Sequence, residues 1–151
     1  MSSQAPHTAP DATTAPRISL VVPMYNEGEA IDVLFKRLDA VLPTLAPYPF
    51  EIVCVNDGSR DDTLARLEAL AATRNDVVVV DLTRNFGKEA ALSAGLSVST
   101  GAAVIPLDAD LQDPPEVVAE MIAKWEEGYE VVLARRGDRS SDSWAKRLTA
   151  R

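Results

Sequence analysis

Five short, almost continuously apolar runs alternate with longer stretches of helical periodicity, and this alternation constrains the fold more than any other feature. The runs are rich in β-branched residues and are bounded by turn residues, as the buried strands of parallel sheets are. They span residues 18–22, 51–55, 77–80, 102–107 and 130–133. Repeated alternation of strand and helix implies right-handed crossovers. The sequence therefore predicts an α/β fold with a mostly parallel, Rossmann-like sheet and helices on both faces.

The four segments between these runs carry apolar residues at helical spacing. The second helix is expected to open at Ser59, with residues 59–62 as a capping box. The third is expected to begin near Lys88 and to carry a face of small residues for close packing on the sheet. The fourth is expected to have Asp113 as its N-cap, Pro114 in its first turn and Gly128 at its end.

Charge is distributed unevenly along the chain. Residues 18–134 hold 8 Lys and Arg against 20 Asp and Glu, whereas residues 135–151 hold 6 Lys and Arg against 2 Asp. The acidic body has no broad basic face, which argues against nucleic acid as the main partner. The first 17 residues are rich in Ala, Pro, Ser and Thr and predict a disordered tail. We therefore expect a tail over 1–17, one domain over 18–134 and a basic segment over 135–151.

Single residues narrow the classes of function further. The only histidine, His7, falls in the predicted tail, so histidine catalysis and histidine metal ligation are not expected. The only cysteine, Cys54, excludes a disulfide framework, fits a reducing compartment and lies in an apolar run as a small core residue would. No apolar run has the length of a membrane-spanning helix, so the chain as given is expected to be soluble.

The loop after the fourth run carries two acids with a possible metal-binding role. In open parallel sheets, ligands bind outside the carboxyl ends of the strands. Asp108 and Asp110 lie there and could share one hard cation, with Gln112 as a neutral oxygen ligand. Solvated loop acids and a helix cap are the competing interpretation. That interpretation suits Asp113 but not Asp108, because Asp108 directly follows an apolar strand, where an unpaired carboxylate is costly. We favour a metal that bridges to a diphosphate.

The loops after the first three runs leave two interpretations open. Tyr25 could stack on a base and Glu27 could meet a ribose or base donor, but a simple turn explains both equally well. Asp57 could accept a hydrogen bond from a base N–H, or it could only form a turn with its neighbours. Arg84 and Lys88 place positive charge beside a helix N-terminus, as in anion sites, although exposed loop charges explain them as well.

Several motifs of other enzyme classes do not occur in the sequence. It contains neither a G-x-x-x-x-G-K-[ST] phosphate loop nor a G-x-G-x-x-G dinucleotide motif. It also lacks a zinc-type Cys/His cluster and the histidine of a Ser-His-Asp triad. Kinases and dehydrogenases are therefore disfavoured.

Taken together, the loops resemble those of a known family. The motifs PMYNE, VNDGSRDDT, LTRNFGKEAALSAGL and DADLQDPPE occur in this order over residues 18–150 and resemble family-2 glycosyltransferases with the GT-A fold. The resemblance is to the polyprenyl-phosphate branch, the dolichol-phosphate mannose synthase-like and bactoprenol glucosyl transferase-like enzymes. It implies metal-dependent, inverting transfer of a sugar from a UDP- or GDP-sugar to undecaprenyl or dolichyl phosphate. Family members work at the cytoplasmic face of the membrane.

The resemblance also assigns roles to individual residues. The nucleoside pocket would be lined by Pro23, Tyr25, Glu27 and Asp57. The catalytic acids Asp108 and Asp110, with Gln112, would hold Mg²⁺ or Mn²⁺ against the diphosphate of the donor. The acceptor phosphate would meet Arg136, Lys146 and Arg147 in the basic segment.

The resemblance leaves other hypotheses in place. Family members usually continue with amphipathic and transmembrane helices, whereas this sequence ends at Arg151, so we expect the acceptor side to be incomplete. The chain could then be a truncated, non-catalytic module that binds nucleotide sugars. A nucleotidyltransferase would share the α/β fold, but its first loop should be rich in glycine and basic residues, unlike PMYNEG.

Overall fold

The structure is a computed structural model that describes residues 15–112, 114–135 and 145–149. These residues fall into two compact units, one that ends at Pro115 and one that begins at Glu116. Residues 1–14 of the predicted tail, including His7, lie outside the described residues. The functional division into a tail, a domain over 18–134 and a segment over 135–151 remains a prediction.

The first unit is built on four parallel strands in the order β3-β2-β1-β4. The strands are β1 Ile18–Met24, β2 Phe50–Asn56, β3 Val77–Asp81 and β4 Ala103–Pro106. The helices are α1 Ile31–Val41, α2 Thr63–Thr73 and α3 Lys88–Val98, with short 3-10 helices at Gly28–Ala30 and Leu42–Leu45. The first four predicted strands and the first three predicted helices are all present, and the predicted fold class is confirmed.

The two central strands are buried on both faces. On β1 and β2, adjacent residues such as Leu20 and Val21, or Cys54 and Val55, are all fully buried. Because successive side chains of a strand point to opposite faces, both faces of the sheet must be covered. The small-residue face of α3 covers one of them, and the chain then crosses back over β2 and β1 to reach β4. With right-handed crossovers, α1 and α2 lie on the opposite face.

The residue Cys54 belongs to this core, as its sequence context predicted. It is fully buried in β2. Burial raises the pKa of its thiol to about 12, so the thiol stays protonated at neutral pH.

A buried polar cluster joins the strands at the amino end of the sheet. The hydroxyl of Ser19 donates a 2.5 Å hydrogen bond to Glu51 Oε1, which also accepts one of 2.6 Å from the N–H of Thr100. The N–H of Gly101 in turn donates to Ser19 Oγ at 2.9 Å. Burial favours the protonated form of Glu51, but these hydrogen bonds outweigh it and lower the pKa of Glu51 below its ordinary value.

The second unit contains α4 Val117–Glu126, β5 Val131–Arg135 and β6 Ala145–Thr149. The run at 130–133 forms a strand, as predicted, but the prediction of a parallel partner was wrong. β5 pairs antiparallel with β6, in a separate two-stranded sheet. An apolar run indicates a strand without specifying which strand it will pair with. In the part of the chain that the structure describes, no helix is both long and apolar enough to span a bilayer.

The start of the fourth helix also differs from the prediction. α4 begins at Val117 with Glu116 as its N-cap, not in the turn that contains Pro114. Pro115 disfavours helical backbone at the residue before it, which delays the helix. The predicted cap, Asp113, lies outside the described residues. The end of the helix is as predicted, because Gly128 has a φ of 100° and its N–H donates to the carbonyl of Trp125 at 2.9 Å.

Candidate functional site

A cleft of about 400 Å³ opens at the carboxyl edge of the parallel sheet. Each of the four loops that follow strands β1 to β4 contributes to it. Its lining consists of Pro23, Met24, Tyr25, Glu27, Asp57, Asn85, Gly87, Lys88, Asp108, Ala109, Asp110 and Gln112. The chain builds the sheet outward from β1 to β3 and then returns to the other side of β1 with β4. Ligands of open α/β sheets bind at such a switch point.

The structure brings seven of the residues predicted from sequence together in this cleft. They are Pro23, Tyr25, Glu27, Asp57, Asp108, Asp110 and Gln112. Tyr25 is 44% exposed, whereas Asp57 is buried at the base of its loop. Their shared location agrees with the sequence analysis, and their individual roles remain predictions.

The carboxylate of Asp57 ties the loop after β2 to the loop after β3. Its Oδ1 accepts a 2.7 Å hydrogen bond from the N–H of Phe86, and its Oδ2 accepts one of 3.1 Å from the N–H of Gly87. Next to it, Gly58 has a φ of 67°, and a Cβ at that position would collide with the backbone of residues 84 and 85. Each carboxylate oxygen carries a second lone pair, so Asp57 can still accept a hydrogen bond from a ligand.

Asn26 connects the loops after β1 and β2, and this contact corrects the predicted helix cap. Its N–H donates to Ser59 Oγ at 2.9 Å, while its side-chain oxygen accepts a 2.8 Å hydrogen bond from the N–H of Arg60. The predicted capping box at residues 59–62 was wrong, since α2 begins at Thr63 with Asp62 as N-cap and no side-chain cap. The hydroxyl of Ser59 is engaged by another loop, and the helix therefore starts later than the local pattern indicates.

A second set of hydrogen bonds joins the same two loops beside the cleft. The N–H of Glu27 donates to Thr63 Oγ1 at 3.0 Å, and the N–H of Gly28 donates to Asp61 Oδ2 at 3.1 Å. Asp61 also accepts from the N–H of Thr63 at 3.0 Å. These bonds hold Glu27 in its place in the cleft wall.

The acids after β4 lie close to other carboxylates and form a region of negative charge with them. Burial, followed by the carboxylates of Asp110, Asp61 and Asp108, raises the pKa of Glu27. The ammonium group of Lys88 lies among these acids, with its Nζ 2.5 Å from Asp108 Oδ1. Asp110 Oδ1 accepts a 3.2 Å hydrogen bond from the N–H of Gln112, across a turn in which Leu111 has a φ of 57°.

The donor atoms of the cleft suit a hard divalent cation that arrives with a ligand. Within residues 15–112, 114–135 and 145–149, no group of three or more His, Cys, Asp or Glu side chains is arranged to hold a metal by itself. Mg²⁺ is often bound by only one or two carboxylates together with phosphate oxygens and water. Asp108 and Asp110, with the amide oxygen of Gln112, offer a set of this kind.

Several polar residues of the site were not predicted from the sequence, and the role of Lys88 was left open. Asn26, Asp61 and Thr63 organise the loops, and Asn85 lines the cleft. Asp61 was predicted only as part of a helix cap, and the other three were given no role. Asn26 and Asn85 both follow strand ends, so applying the loop rule to every polar residue would have included them. Lys88 lines the cleft and its side chain is 69% exposed, so an anion site and an exposed charge both remain open for it.

The residues predicted to meet the acceptor phosphate lie in the second unit. Arg136 lies outside the described residues. Lys146 and Arg147 are on β6, where they pair with Ala134 and Leu133 of β5. Their role remains a prediction.

Comparisons with known proteins identify the family of the chain. The sequence profile of glycosyl transferase family 2 matches residues 19–151. A bactoprenol glucosyl transferase from Shigella phage SfX is 53% identical over 134 residues, which are 89% of this chain and 44% of that protein. The chain thus spans less than half the length of this relative.

Two groups of solved structures share the fold. A mannosyltransferase from Pyrobaculum calidifontis, solved with GDP-Man and Mn²⁺, superposes with a TM-score of 0.59 at 31% identity. The match covers 81% of this chain and 35% of that one. S. aureus TarS 1-349, solved with UDP-GlcNAc, superposes with a TM-score of 0.63 at 28% identity. That match covers 78% of this chain and 33% of the TarS chain.

Proposed function

Because the chain belongs to glycosyl transferase family 2, we propose that it forms the donor-binding part of a metal-dependent, inverting glycosyltransferase. The donor would be a UDP- or GDP-sugar and the acceptor a polyprenyl phosphate. One observation carries the proposal: a single cleft gathers the exposed ring of Tyr25, the acids Asp108 and Asp110, and Lys88. Such a cleft offers a stacking surface for a base beside charged groups for a diphosphate.

In this proposal the cleft positions the donor from its base to its diphosphate. Tyr25 stacks on the base, Pro23 lies beside it, and Glu27 or Asp57 accepts a hydrogen bond from the nucleoside. Asp57 also fixes the loop that leads to Lys88. Binding of GDP-Man and of UDP-GlcNAc by the two structural neighbours supports a nucleotide-sugar ligand and leaves the base undecided.

A divalent cation would be held by Asp108 and Asp110, with Gln112 as a further oxygen ligand. When bound, Mg²⁺ or Mn²⁺ would neutralise charge on the departing nucleoside diphosphate. The Mn²⁺ in the structure of the mannosyltransferase supports the use of a divalent ion.

The relative named as a bactoprenol glucosyl transferase supports the proposal of a polyprenyl phosphate acceptor. An oxygen of the lipid phosphate would attack the anomeric carbon, a C–O bond would form there, and the bond to the diphosphate would break with inversion. The attacking oxygen is already anionic, so no strong general base is required. The residues of the cleft would align the donor and stabilise the leaving group. Arg136, Lys146 and Arg147 remain our candidates for contact with the acceptor phosphate.

Calorimetric titration tests donor binding. UDP, GDP and their sugars are titrated into the protein with Mn²⁺ and with chelator, and Asp110→Asn is compared with Asp32→Asn, which changes an exposed acid of α1 in the same way. We expect Mn²⁺-dependent binding that Asp110→Asn abolishes and Asp32→Asn preserves. Equal binding by both variants would contradict the metal role of Asp110.

A transfer assay separates an enzyme from a binding module. Radiolabelled sugar nucleotide is incubated with the protein and a short-chain polyprenyl phosphate, and the lipid fraction is counted. Label on the lipid supports the transferase. Binding of the donor without transfer, or with hydrolysis alone, favours a module that binds nucleotide sugars.

A further inference from the structure

The ammonium group of Lys88 forms an ion pair with the carboxylate of Asp108. Its Nζ lies 2.5 Å from Asp108 Oδ1, and both side chains line the cleft. The pair is open to solvent, with the Lys88 side chain 69% exposed and that of Asp108 30% exposed. Exposed pairs of this kind contribute little to stability, so the two partners can separate at small cost.

The position of Lys88 at the N-terminus of a helix is unusual for a positively charged residue. Lys88 is the first residue of α3, directly after Gly87, whose N–H is held by Asp57. The N-terminus of a helix has a partial positive charge, so a lysine there is unfavourable unless an anion lies nearby. Asp57, which accepts a hydrogen bond from the N–H of Gly87, and Glu89, in the first turn of α3, are two such anions, and Asp108 is the one that pairs with the ammonium group. A phosphate group would satisfy both the helix end and the lysine equally well.

We propose that Lys88 is the internal counter-cation of Asp108 in the donor-free protein and must leave this carboxylate before a divalent cation binds there. This inference rests on the proposed function and adds an order of events to it. In the free protein, Lys88 competes with the metal for Asp108, and its charge also repels a second cation. In the presence of a nucleotide diphosphate, the ammonium has another anion to pair with, and Asp108 becomes available. Lys88 therefore keeps metal affinity low until the diphosphate arrives.

Titration of Mn²⁺ alone into the nucleotide-free protein tests this competition. Lys88→Met removes the charge and keeps the length of the side chain, and Lys36→Met makes the same change on an exposed lysine of α1 outside the cleft. We expect Lys88→Met to bind Mn²⁺ about 3- to 10-fold more tightly than wild type, and Lys36→Met to match wild type. With chelator present, UDP or GDP should bind Lys88→Met several-fold more weakly.

A double variant shows whether the gain acts through Asp108. In Lys88→Met with Asp108→Asn, the increase in Mn²⁺ affinity should be lost. Persistence of the increase in the double variant, or unchanged Mn²⁺ affinity in Lys88→Met, would overturn the inference. Mn²⁺-dependent binding of UDP or GDP by wild type, measured on the same samples, would leave the proposed function standing in that case. Absence of nucleotide binding would refute the proposed function separately.

Discussion

The carboxylate of Asp57 accepts a 2.7 Å hydrogen bond from the backbone N–H of Phe86, which lies 29 residues further along the chain. The two residues belong to loops that follow different strands, β2 and β3. Parallel strands bring these loops to the same edge of the sheet, and one buried side chain holds them together. This contact gives Asp57 a positioning role, whether or not it also meets a ligand.

Removal of the Asp57 carboxylate should loosen the loop beside the cleft. Asp57→Ala loses the hydrogen bonds to Phe86 and Gly87, and we expect a cost of about 2–3 kcal/mol in the free energy of unfolding and at least a tenfold loss of nucleotide affinity. Asp57→Asn keeps one acceptor oxygen and should recover part of the stability. Urea unfolding and nucleotide titration measure both effects. Wild-type stability in Asp57→Ala would contradict the positioning role.

Asn26 contributes through its side-chain hydrogen bonds and through its left-handed backbone, and two substitutions can separate these effects. Its φ is 51°, a left-handed value that glycine and asparagine tolerate and alanine does not. Asn26→Gly should lose only the side-chain hydrogen bonds, at about 1 kcal/mol, and Asn26→Ala should cost about 1–2 kcal/mol more. Chemical unfolding of both variants checks this order. If Asn26→Ala were the more stable of the two, the strain argument would fail.

Close packing of α3 on the sheet should make Gly95 intolerant of a methyl group. A Cβ at Gly95 would overlap Val21 Cγ1 and lie 3.0 Å from Val55 Cγ2. Both valines are buried and stiff at χ1, so they cannot yield easily. Although alanine is the better helix former, we expect Gly95→Ala to lose about 1–3 kcal/mol of stability.

The control for this substitution is Ser93→Ala on the exposed side of the same helix. It adds no atoms to the interface and should leave the free energy of unfolding nearly unchanged or slightly increased. Thermal and urea unfolding of the two variants provide the comparison. Equal stability of Gly95→Ala and wild type would show that the helix can move away from the sheet without cost.

The lowered pKa of Glu51 predicts a loss of stability in acid. A carboxylate whose pKa is lower in the folded state stabilises the protein fully above its unfolded pKa of about 4.5, and this stabilisation is lost as the pH falls through the folded pKa. Glu51→Gln should therefore be less stable than wild type at pH 7, and the difference should shrink below pH 4.5.

A matched substitution isolates the effect of the buried cluster. Glu68→Gln changes an exposed glutamate of α2 and should follow the wild-type profile of stability against pH. Urea midpoints of the three proteins between pH 3 and pH 7, roughly the window in which carboxylates titrate, provide the measurement. A constant difference between Glu51→Gln and wild type over this range would contradict the prediction.

The sequence by itself determined the elements of the first unit and the location of the cleft. Residues 18–22 and 51–55 were predicted as strands and form the centre of the sheet, because an unbroken apolar run can be buried only where both faces are covered. Asp57, Asp108 and Asp110 were singled out because polar residues at strand ends have no packing role. An apolar run and a polar residue at its end are patterns of neighbours along the chain, so the sequence contains them directly.

Only the tertiary structure decided which loops contact one another. Ser59 accepts a hydrogen bond from Asn26 instead of capping α2, and Lys88 pairs with Asp108 across 20 residues. β5 forms a separate antiparallel sheet, although its apolar pattern matches that of the parallel strands. Each of these outcomes depends on the order of strands in space. That order follows from the crossovers and the packing of helices, and the pattern of any single segment does not encode it.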